Sequence, residues 1–280
     1  MSVLEVLRAS TDYLTKRKID EARLNAEHLV ADVLGLTRMQ LYLGFENQVN
    51  DPELQRLRDF VRRRGQGEPL QHLLGTVEFC GHVFKTDKRA LVPRPETEQL
   101  VELLVSEIGN PQSEIRILDI GTGSGVIALS LASKFPEAKV VATDISDDAL
   151  ALACENADRL GLTDRIRLEK SDLLEKIGER FELIVANLPY VSMNDRNSLS
   201  REVLHDPEIA VFAGQQGDEL ICQLIEQVPL RLDPNGLLAL EIGLGQADRL
   251  HSMLRQKNFH DIEAKKDYSG IPRFLFSRYG

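Results

Sequence analysis

The first 75 residues show helical periodicity. Apolar residues recur at spacings of three and four between residues 22 and 33, which predicts a helix that stops at Gly35. A second helix is predicted to begin at Asp51-Pro52-Glu53, because an Asp cap accepts free backbone N–H groups and Pro fits the first helical position. We therefore expect this region to form a small helical domain.

Beyond residue 75 the pattern changes to that of a β-hairpin. Val77-Glu78-Phe79 and Val83-Phe84-Lys85 flank Gly81, which predicts two short strands around a tight turn. A helical pattern then starts at about Glu96. The predicted organisation comprises a helical domain over residues 1–75, a hairpin linker over 76–95 and a larger domain over 96–280.

From residue 115 onward, apolar strand-like runs alternate with helical patterns. The predicted strands include Ile115, Val140, Ile166, Leu183 and Leu237, and two closing strands lie near Ile262 and Phe274. The predicted helices cover about 124–134, 147–160 and 218–229, and a last one begins near Gln246. This alternation indicates an α/β fold with a mainly parallel sheet and helices on both faces. Ligands in such sheets lie beyond the carboxyl ends of the strands, so we expect the chemistry just after each strand.

The charge balance disfavours a partner held by phosphate neutralisation. The 280 residues carry 34 Lys and Arg against 44 Asp and Glu, which gives a formal net charge of −10. Residues 1–75 contain 11 basic and 11 acidic residues, so the whole net charge of −10 lies in residues 76–280. A nucleic-acid partner favours the opposite sign, and we expect no direct nucleic-acid binding.

Composition also bears on localisation and metal binding. No run approaches the ~18 consecutive apolar residues of a membrane span, and the N-terminus lacks a basic leader. Cys80, Cys154 and Cys222 are widely scattered, which is typical of reduced thiols. The histidines show no metal-ligand spacing. We expect a cytoplasmic, monomeric protein without a membrane anchor or a metal site.

A glycine-rich loop follows the first strand of the larger domain. It has the sequence Gly121-Thr122-Gly123-Ser124-Gly125. Glycines at alternating positions let the backbone turn sharply and bring N–H groups against a ligand, with a helix N-terminus behind them. The dinucleotide fingerprint requires a further glycine where this chain has Val126. The loop therefore predicts a nucleoside without a pyrophosphate, the arrangement typical of S-adenosylmethionine enzymes.

Two acidic residues follow the next two strands. Asp144 lies 23 residues after Gly121, where an acid accepts both ribose hydroxyls in dinucleotide folds. Asp172 is placed to accept from the adenine amino group. The alternative is that the glycines only form a tight strand–helix turn and that both acids are surface caps. The combination of three such features at three strand ends favours the cofactor site.

The fourth strand is followed by Asn187-Leu188-Pro189-Tyr190. The Asn187 side-chain oxygen and the Leu188 carbonyl can each accept one N–H of a planar NH2 group, and Tyr190 can stack on that group. Catalysis would then consist mostly of positioning and preorganised polar contacts. The alternative is an ordinary turn after a strand, since Asn and Pro both favour turns.

These motifs carry a resemblance that extends over nearly the whole chain. The segments that carry it are 67–75, 78–79, Leu91-Val92-Pro93-Arg94-Pro95-Glu96-Thr97-Glu98, 118–125, 187–190, Glu241-Ile242-Gly243 and 267–273. The chain resembles the HemK family of protein-(glutamine N5) methyltransferases, which modify the glutamine of the Gly-Gly-Gln motif in class-one peptide chain release factors. The run at 91–98 discriminates best, because generic amino-methyltransferases lack it.

The resemblance implies the fold, the cofactor and the site. It implies a Rossmann-like methyltransferase domain, whose mostly parallel seven-stranded sheet has an antiparallel last strand, preceded by an N-terminal helical domain for substrate recognition. It implies cofactor contacts from residues 121–125, Asp144, Asp172 and Asn187, and a substrate glutamine held by residues 187–190. The family usually has Pro where this chain has Leu188, so the turn loses the fixed φ of proline.

Two other functions fit parts of the pattern. A DNA or RNA exocyclic-amino methyltransferase uses a similar tetrapeptide, but it needs a basic track for the nucleic-acid backbone. A non-catalytic cofactor-binding module would not need Asn187 and Tyr190 beside an intact glycine loop.

Overall fold

The computed structural model describes residues 1–109 and 114–280. By its internal contacts the chain divides into two compact units. The first comprises Met1–Thr76 together with Ser200–His205, and the second comprises Val77–Leu199 together with Asp206–Gly280. The contacts thus group residues 77–95 with the second unit and bring in the short segment 200–205 as part of the first. No helix within the described ranges has both the length and the apolar character that crossing a bilayer requires.

The first unit is helical. Its helices are α1 (Val3–Lys16), α2 (Ala22–Leu34), α3 (Arg38–Leu43), α4 (Asp51–Gly65) and α5 (Leu70–Leu74). The helix expected over residues 22–33 is confirmed, and it ends at Gly35, which adopts a left-handed conformation with φ 64°. Apolar side chains of these helices, including Leu14, Leu29 and Leu57, form the core of the unit.

The start of α4 corrects one prediction. Asp51 is the first helical residue and not the cap, because the side chain of Asn50 accepts the Glu53 N–H at 3.0 Å. The Glu53 carboxylate accepts the Asn50 N–H in return, at 2.9 Å. This reciprocal pair satisfies two backbone donors, and Asp51 then adds a negative charge near the positive end of the helix dipole.

The segment 200–205 is attached to this unit by polar contacts. The buried side chain of Arg64 pairs with Glu202 at 3.1 Å. Arg201 donates from Nη2 to the carbonyl oxygen of Arg17 at 2.8 Å. No sequence pattern predicted this grouping, because the segment lies more than a hundred residues from its contacts in the chain.

The second unit is an α/β fold. A hairpin is formed by β1 (Thr76–Phe79) and β2 (His82–Lys85). The strands of the main sheet are β3 (Arg116–Ile120), β4 (Lys139–Asp144), β5 (Ile166–Lys170), β6 (Phe181–Ala186), β7 (Leu232–Glu241), β8 (Phe259–Lys266) and β9 (Pro272–Tyr279). The helices are α6 (Pro95–Ile108), α7 (Val126–Lys134), α8 (Asp147–Leu160), α9 (Glu208–Val211), α10 (Glu219–Gln227) and α11 (Ala247–Gln256).

The sheet confirms the predicted fold class. Its strand order within the described residues is β5-β4-β3-β6-β7-β9-β8. Strands β3 to β7 are parallel, and β9 runs antiparallel to both of its neighbours. The chain winds outward in one direction from β3 through β4 and β5, then returns to the other side with β6. A crevice therefore opens between the ends of β3 and β6, where ligands bind in such folds.

Side chains alternate between the two faces of the sheet, as the strand period requires. On one face, Ile117, Leu183 and Val185 pack in a core shared with α6 and α7. On the other face, Leu118 and Ile184 pack in a core shared with α10 and α11. Both faces are covered, which explains why these strands are continuous apolar runs.

The starts of α7 and β7 differ from the predictions. Helix α7 begins at Val126 and not at Ser124, because Gly125 adopts a left-handed conformation with φ 83° that cannot continue a helix. Strand β7 begins at Leu232 and not at Leu237. Phe181 pairs with Leu232 and Leu183 with Leu237, so the turn-type residues 233–236 bulge out between two paired positions.

Candidate active site

The strand register places the ends of four strands beside each other. Ile120 at the end of β3 pairs with Thr143 of β4 on one side and with Ala186 of β6 on the other. Ala186 in turn pairs with Leu240 of β7. The next residue on each of these strands therefore lies at the same edge of the sheet, with neighbouring strands roughly 4.8 Å apart. These next residues are Gly121, Asp144, Asn187 and Glu241.

One cavity at this edge contains most of the predicted cofactor residues. Its lining includes Gly121, Thr122, Gly123, Ser124, Asp144, Asp172, Asn187, Leu188 and Pro189. Gly125 and Tyr190 are not part of the lining. The sequence did not single out the apolar residues Ile145 and Ile209, which also line the cavity.

The glycine loop has the geometry that its composition predicts. Gly121, Gly123 and Gly125 have φ of 69°, 56° and 83°. These values favour residues without a Cβ. A Cβ at position 125 would also lie 3.1 Å from the Cβ of Ala153, so this glycine allows α8 to approach the loop closely. The loop therefore depends on its glycines for both conformation and packing.

Two acids, the buried Asp119 and the half-buried Asp144, accept hydrogen bonds from the loop. The Asp119 carboxylate accepts from Thr122 Oγ1 at 2.6 Å and from the Ala128 N–H at 3.2 Å. Burial raises the pKa of Asp119 to about 7. Asp144 accepts the N–H of Gly123 through one oxygen and the N–H of Ser146 through the other, both at 2.9 Å.

The two predicted cofactor acids differ in their surroundings. Burial raises the pKa of Asp144, and the hydrogen bonds from Ser146 and Gly123 oppose that rise. A carboxylate offers about four lone-pair sites, so Asp144 keeps capacity to accept a further hydrogen bond. Asp172 lies exposed at the rim, just after β5. The cavity thus has one half-buried and one exposed carboxylate available to accept hydrogen bonds.

The Asn187 side chain is oriented by a hydrogen bond on one side. Its Nδ2 donates to Thr97 Oγ1 at 3.1 Å. Thr97 is buried in the first turn of α6, and its hydroxyl donates to Glu241 Oε2 at 2.8 Å. Glu241 is 1% exposed, so this polar chain lies in the protein interior. Asn187 itself lines the cavity, and its Oδ1 accepts no hydrogen bond from any described residue.

Tyr190 belongs to the same polar chain. Its hydroxyl donates to Glu241 Oε1 at 3.3 Å, and its ring packs against the apolar core below the sheet edge. Burial and the neighbouring Glu241 raise the pKa of the Tyr190 phenol, so the hydroxyl keeps its proton. The predicted stacking of the ring on a substrate amide stays a prediction.

Leu188 has a packing role that the sequence did not show. The residue is 5% exposed and belongs to the apolar core. A Cβ at position 121 would lie only 2.8 Å from Leu188 Cδ2, so the leucine packs directly over the first glycine of the loop. The family's usual proline has a smaller side chain that would fill less of this space.

Replacing Leu188 by proline therefore has two opposing effects. We expect Leu188→Pro to lower the free energy of unfolding by about 1 to 2 kcal/mol, because part of the leucine packing is lost. The rate should stay within about tenfold of wild type, because the residue 188 carbonyl survives and proline stiffens the turn. Urea unfolding and single-turnover kinetics test this. A larger loss of rate would mean that the leucine itself shapes the turn.

The segment before α6 is anchored to the cavity wall by buried polar groups. Arg94 lines the cavity and pairs with the buried Asp206 at 2.6 Å. The other oxygen of Asp206 accepts the Val92 N–H at 3.2 Å. Glu98, by contrast, accepts the Cys80 N–H at 3.0 Å and braces the hairpin. Residues 91–98, the most discriminating run of the sequence, thus contribute to the wall of the cavity, to the hydrogen bonds of Thr97 and to the anchoring of the hairpin.

Asn156 connects the hairpin to the glycine loop. Its Oδ1 accepts the Lys85 N–H at 2.7 Å, and its Nδ2 donates to the carbonyl oxygens of Lys85 and Ser124. The residue is fully buried. A buried Asn with all these partners stabilises the local structure strongly. From the sequence, Asn156 could be identified only as a polar residue on the buried face of α8.

Family models match both parts of the chain. The model described as PrmC N-terminal domain matches residues 5–75, and the model described as Methyltransferase small domain matches residues 96–211. The second part of the chain is therefore a methyltransferase domain. The fold agrees with a solved structure, the hMettl16 catalytic domain in complex with MAT2A 3'UTR hairpin 6. That likeness has a TM-score of 0.56 at 18% identity and covers 82% of this chain and 83% of the other.

Curated relatives are similar over the full length. The release factor glutamine methyltransferase of Geobacter sulfurreducens is 38% identical over 281 residues, which cover 100% of this chain and 97% of the relative. The protein of the same name from Chlorobaculum tepidum is also 38% identical and covers 98% of this chain and 96% of the relative. Full-length similarity at this level, together with the two matched domains, means that the chain belongs to the release factor glutamine methyltransferase family.

Proposed function

We propose that this enzyme transfers the methyl group of S-adenosylmethionine to the side-chain amide nitrogen of the glutamine in the Gly-Gly-Gln motif of class-one peptide chain release factors. One observation carries the proposal. The register of the sheet brings the Asn187 carboxamide and the glycine loop to one cavity, with Asn187 Oδ1 available as an acceptor. Names of the full-length relatives support the same substrate.

The cavity fits the proposed cofactor by the chemistry of its donor and acceptor groups. A ribose and an adenine amino group offer hydrogen-bond donors, and Asp144 and Asp172 offer carboxylate acceptors on the cavity wall. The glycine loop brings backbone groups close to the ligand, and the exposed side chain of Ile145 offers an apolar contact for a flat ring. The residues proposed to hold the cofactor are Gly121, Thr122, Gly123, Ser124, Gly125, Asp144, Asp172 and Asn187.

The chain's own residues position the substrate amide. When bound, the cofactor supplies a methyl group on a sulfonium, which becomes a neutral thioether as the carbon–sulfur bond breaks and the carbon–nitrogen bond forms. Asn187 Oδ1 and the Leu188 carbonyl oxygen each accept one N–H, so the amide nitrogen faces the methyl group. An amide nitrogen is a poor nucleophile because its lone pair is conjugated with the carbonyl group. Fixed geometry is therefore the main contribution of the protein.

No strong base is required in this proposal. The nitrogen becomes much more acidic as the methyl group arrives, and its extra proton leaves to water. Residues 187–190 thus act by holding the amide rather than by taking its proton. Tyr190 keeps its own proton in a hydrogen bond to Glu241, and its ring is proposed to stack on the planar amide.

Mass spectrometry of a release factor tests the proposed function. After incubation with the enzyme and S-adenosylmethionine, we expect one additional CH2 on the glutamine of the Gly-Gly-Gln motif and none on a factor with that glutamine replaced by alanine. Parallel incubations with DNA and RNA test the rival exocyclic-amino activity. Methylation of nucleic acid without methylation of the factor would contradict the proposal.

We further propose that residues 1–75 contribute to recognition of the intact factor. A single glutamine offers little area for specificity, so additional contacts are needed to select one protein. A short Gly-Gly-Gln peptide should then be methylated with a much lower kcat/KM than the whole factor. Equal efficiency for the peptide and the factor would assign all recognition to the cavity.

A further inference from the structure

Glu241 connects the two ends of the Asn187–Tyr190 turn through buried hydrogen bonds. One carboxylate oxygen accepts from Thr97 Oγ1 at 2.8 Å, and the other accepts from the Tyr190 hydroxyl at 3.3 Å. Thr97 Oγ1 also accepts from Asn187 Nδ2 at 3.1 Å. The carboxylate thus reaches the first residue of the turn through a threonine and the last residue directly.

The direction of these bonds follows from the number of hydrogens available. A threonine hydroxyl has one hydrogen, and an ionised carboxylate has none, so the Thr97 hydrogen goes to Glu241. Thr97 Oγ1 can then only accept from Asn187, and the group that faces it must be the NH2. The carbonyl oxygen of the Asn187 side chain therefore points the other way. An acceptor in that position is what an incoming NH2 group needs.

The opposite orientation would not serve the reaction. A carboxamide flipped about its last torsion would present its NH2 to the substrate amide nitrogen, and two donor groups would face each other. Sterics distinguish the two orientations poorly, because the oxygen and the NH2 of an Asn are almost the same size. The selection has to come from hydrogen bonding.

We propose that Thr97 and Glu241 are positioning residues that select the productive orientation of the Asn187 carboxamide. This inference rests on the proposed function for its catalytic consequence, but the orientation itself can be measured without turnover. Glu241 is buried and is not part of the cavity lining, whereas Thr97 lines the cavity beside Asn187. Their effect passes through Asn187, which lines the cavity.

The protonation state of Glu241 should control the direction of the hydrogen bonds that run from Glu241 through Thr97 to Asn187. Burial raises the pKa of Glu241 to about 7, and Glu96 adds to the rise. Hydrogen bonds from Thr97 and Tyr190 and the charge of Arg273 oppose it. These groups face the carboxyl from α6, from the turn and from β9. A protonated Glu241 can donate to Thr97, whose hydrogen then turns toward Asn187 and favours the unproductive orientation.

Two variants test whether the hydroxyl of Thr97 is required. Thr97→Val removes the hydroxyl at nearly constant volume, and we expect kcat to fall by at least about tenfold while the Kd for S-adenosylhomocysteine stays within about threefold. Thr97→Ser keeps the hydroxyl and should retain most of the rate. Thr86→Val is the matched control, because Thr86 is equally buried and its hydroxyl has no described partner. Equal rates for Thr97→Val and Thr86→Val would overturn the proposal.

The carboxylate is tested by a pH profile at saturating cofactor. We expect kcat of the wild type to fall as the pH drops through about 7, because the productive orientation requires ionised Glu241. Glu241→Gln has no proton to gain, so its reduced kcat should be flat over the same range. Asp119 also has a pKa of about 7 and is unchanged in this variant. An acid limb that persists in Glu241→Gln would therefore overturn the assignment to Glu241.

A measurement without turnover separates this inference from the proposed function. The side-chain NH2 resonances of Asn187, assigned by their absence in Asn187→Ala, should shift with a midpoint near pH 7 in the wild type. The shift should disappear in Glu241→Gln. A wild type that does not methylate release factors would contradict the proposed function alone. Resonances that do not respond to pH would contradict the proposed positioning role of Thr97 and Glu241, whatever the substrate.

Discussion

Asn187→Ala should lower kcat for methyl transfer by about 10³-fold while leaving cofactor binding nearly intact. The side chain contributes the acceptor oxygen that faces the cavity, and its NH2 is already engaged with Thr97. Removing one preorganised polar group from a reaction site costs on the order of 10²- to 10³-fold in kcat. We expect a loss at the upper end of that range, because the remaining Leu188 carbonyl cannot orient a planar NH2 group alone.

Rate and affinity have to be measured separately for this variant. Single-turnover methylation of a release factor gives the rate, and calorimetric titration with S-adenosylhomocysteine gives the affinity, which should change by about threefold or less. Asn197→Ala is the matched control, because Asn197 is exposed. Retained turnover by Asn187→Ala would refute the positioning mechanism. Equal losses of rate and affinity would assign Asn187 mainly to cofactor binding.

Asn187→Asp refines the same result. The substitution keeps the shape and one acceptor oxygen but places a second oxygen against Thr97 Oγ1, whose only hydrogen already goes to Glu241. Two acceptors would then face each other in a buried position. We expect the aspartate variant to be nearly as inactive as the alanine variant, although it retains an oxygen toward the cavity.

Asp144→Ala should have the largest effect on cofactor affinity. Its carboxylate accepts the N–H groups of Gly123 and Ser146, and it is proposed to accept from the ribose hydroxyls as well. Hydrogen bonds to a charged group contribute about 1.5 to 3 kcal/mol each, so we expect Kd to rise by roughly 10²-fold or more. At saturating cofactor, kcat should fall only a few fold, because Asp144 is proposed to contact the ribose and not the methyl group.

Calorimetric titration and a rate measured over a range of cofactor concentrations test this prediction. Asp148→Ala provides the control, since it removes an exposed acid from the first turn of the adjacent helix α8. An unchanged Kd for Asp144→Ala would remove this residue from the cofactor site. The glycine loop would then have to bind the ligand through its backbone alone.

The fold class was predictable because each of its elements carries a local pattern. Helix α8 matches its predicted span of residues 147–160, since Ser146 caps its start and Gly161 ends it in a left-handed conformation. The strands of the sheet are short apolar runs between turn residues. The error at β7 lies where strand pairing overrides such a pattern, because the turn-like residues 233–236 bulge from a strand that continues on both sides. The errors at the starts of α4 and α7 have local causes, namely the Asn50 cap and the left-handed Gly125.

The candidate site likewise contains some residues that the sequence could identify and others that it could not. The glycine loop, Asp144 and the Asn187–Tyr190 turn are local motifs, and each lies at the carboxyl end of a strand. Thr97 and Glu241 could not be assigned a role from the sequence, although both lie in segments of the family resemblance. They are 144 residues apart, and their hydrogen bond exists only because the sheet and α6 bring them together.

The amino-acid sequence by itself determined the α/β class, the glycine loop and the turn at residues 187–190, because backbone conformation at those positions depends on the residue types present. The tertiary structure decided the orientation of the Asn187 carboxamide and the packing of Leu188 over Gly121. Both depend on neighbours that are distant in the chain. A hydroxyl donates in the direction where an acceptor lies, and only the assembled sheet places the Glu241 carboxylate beside Thr97.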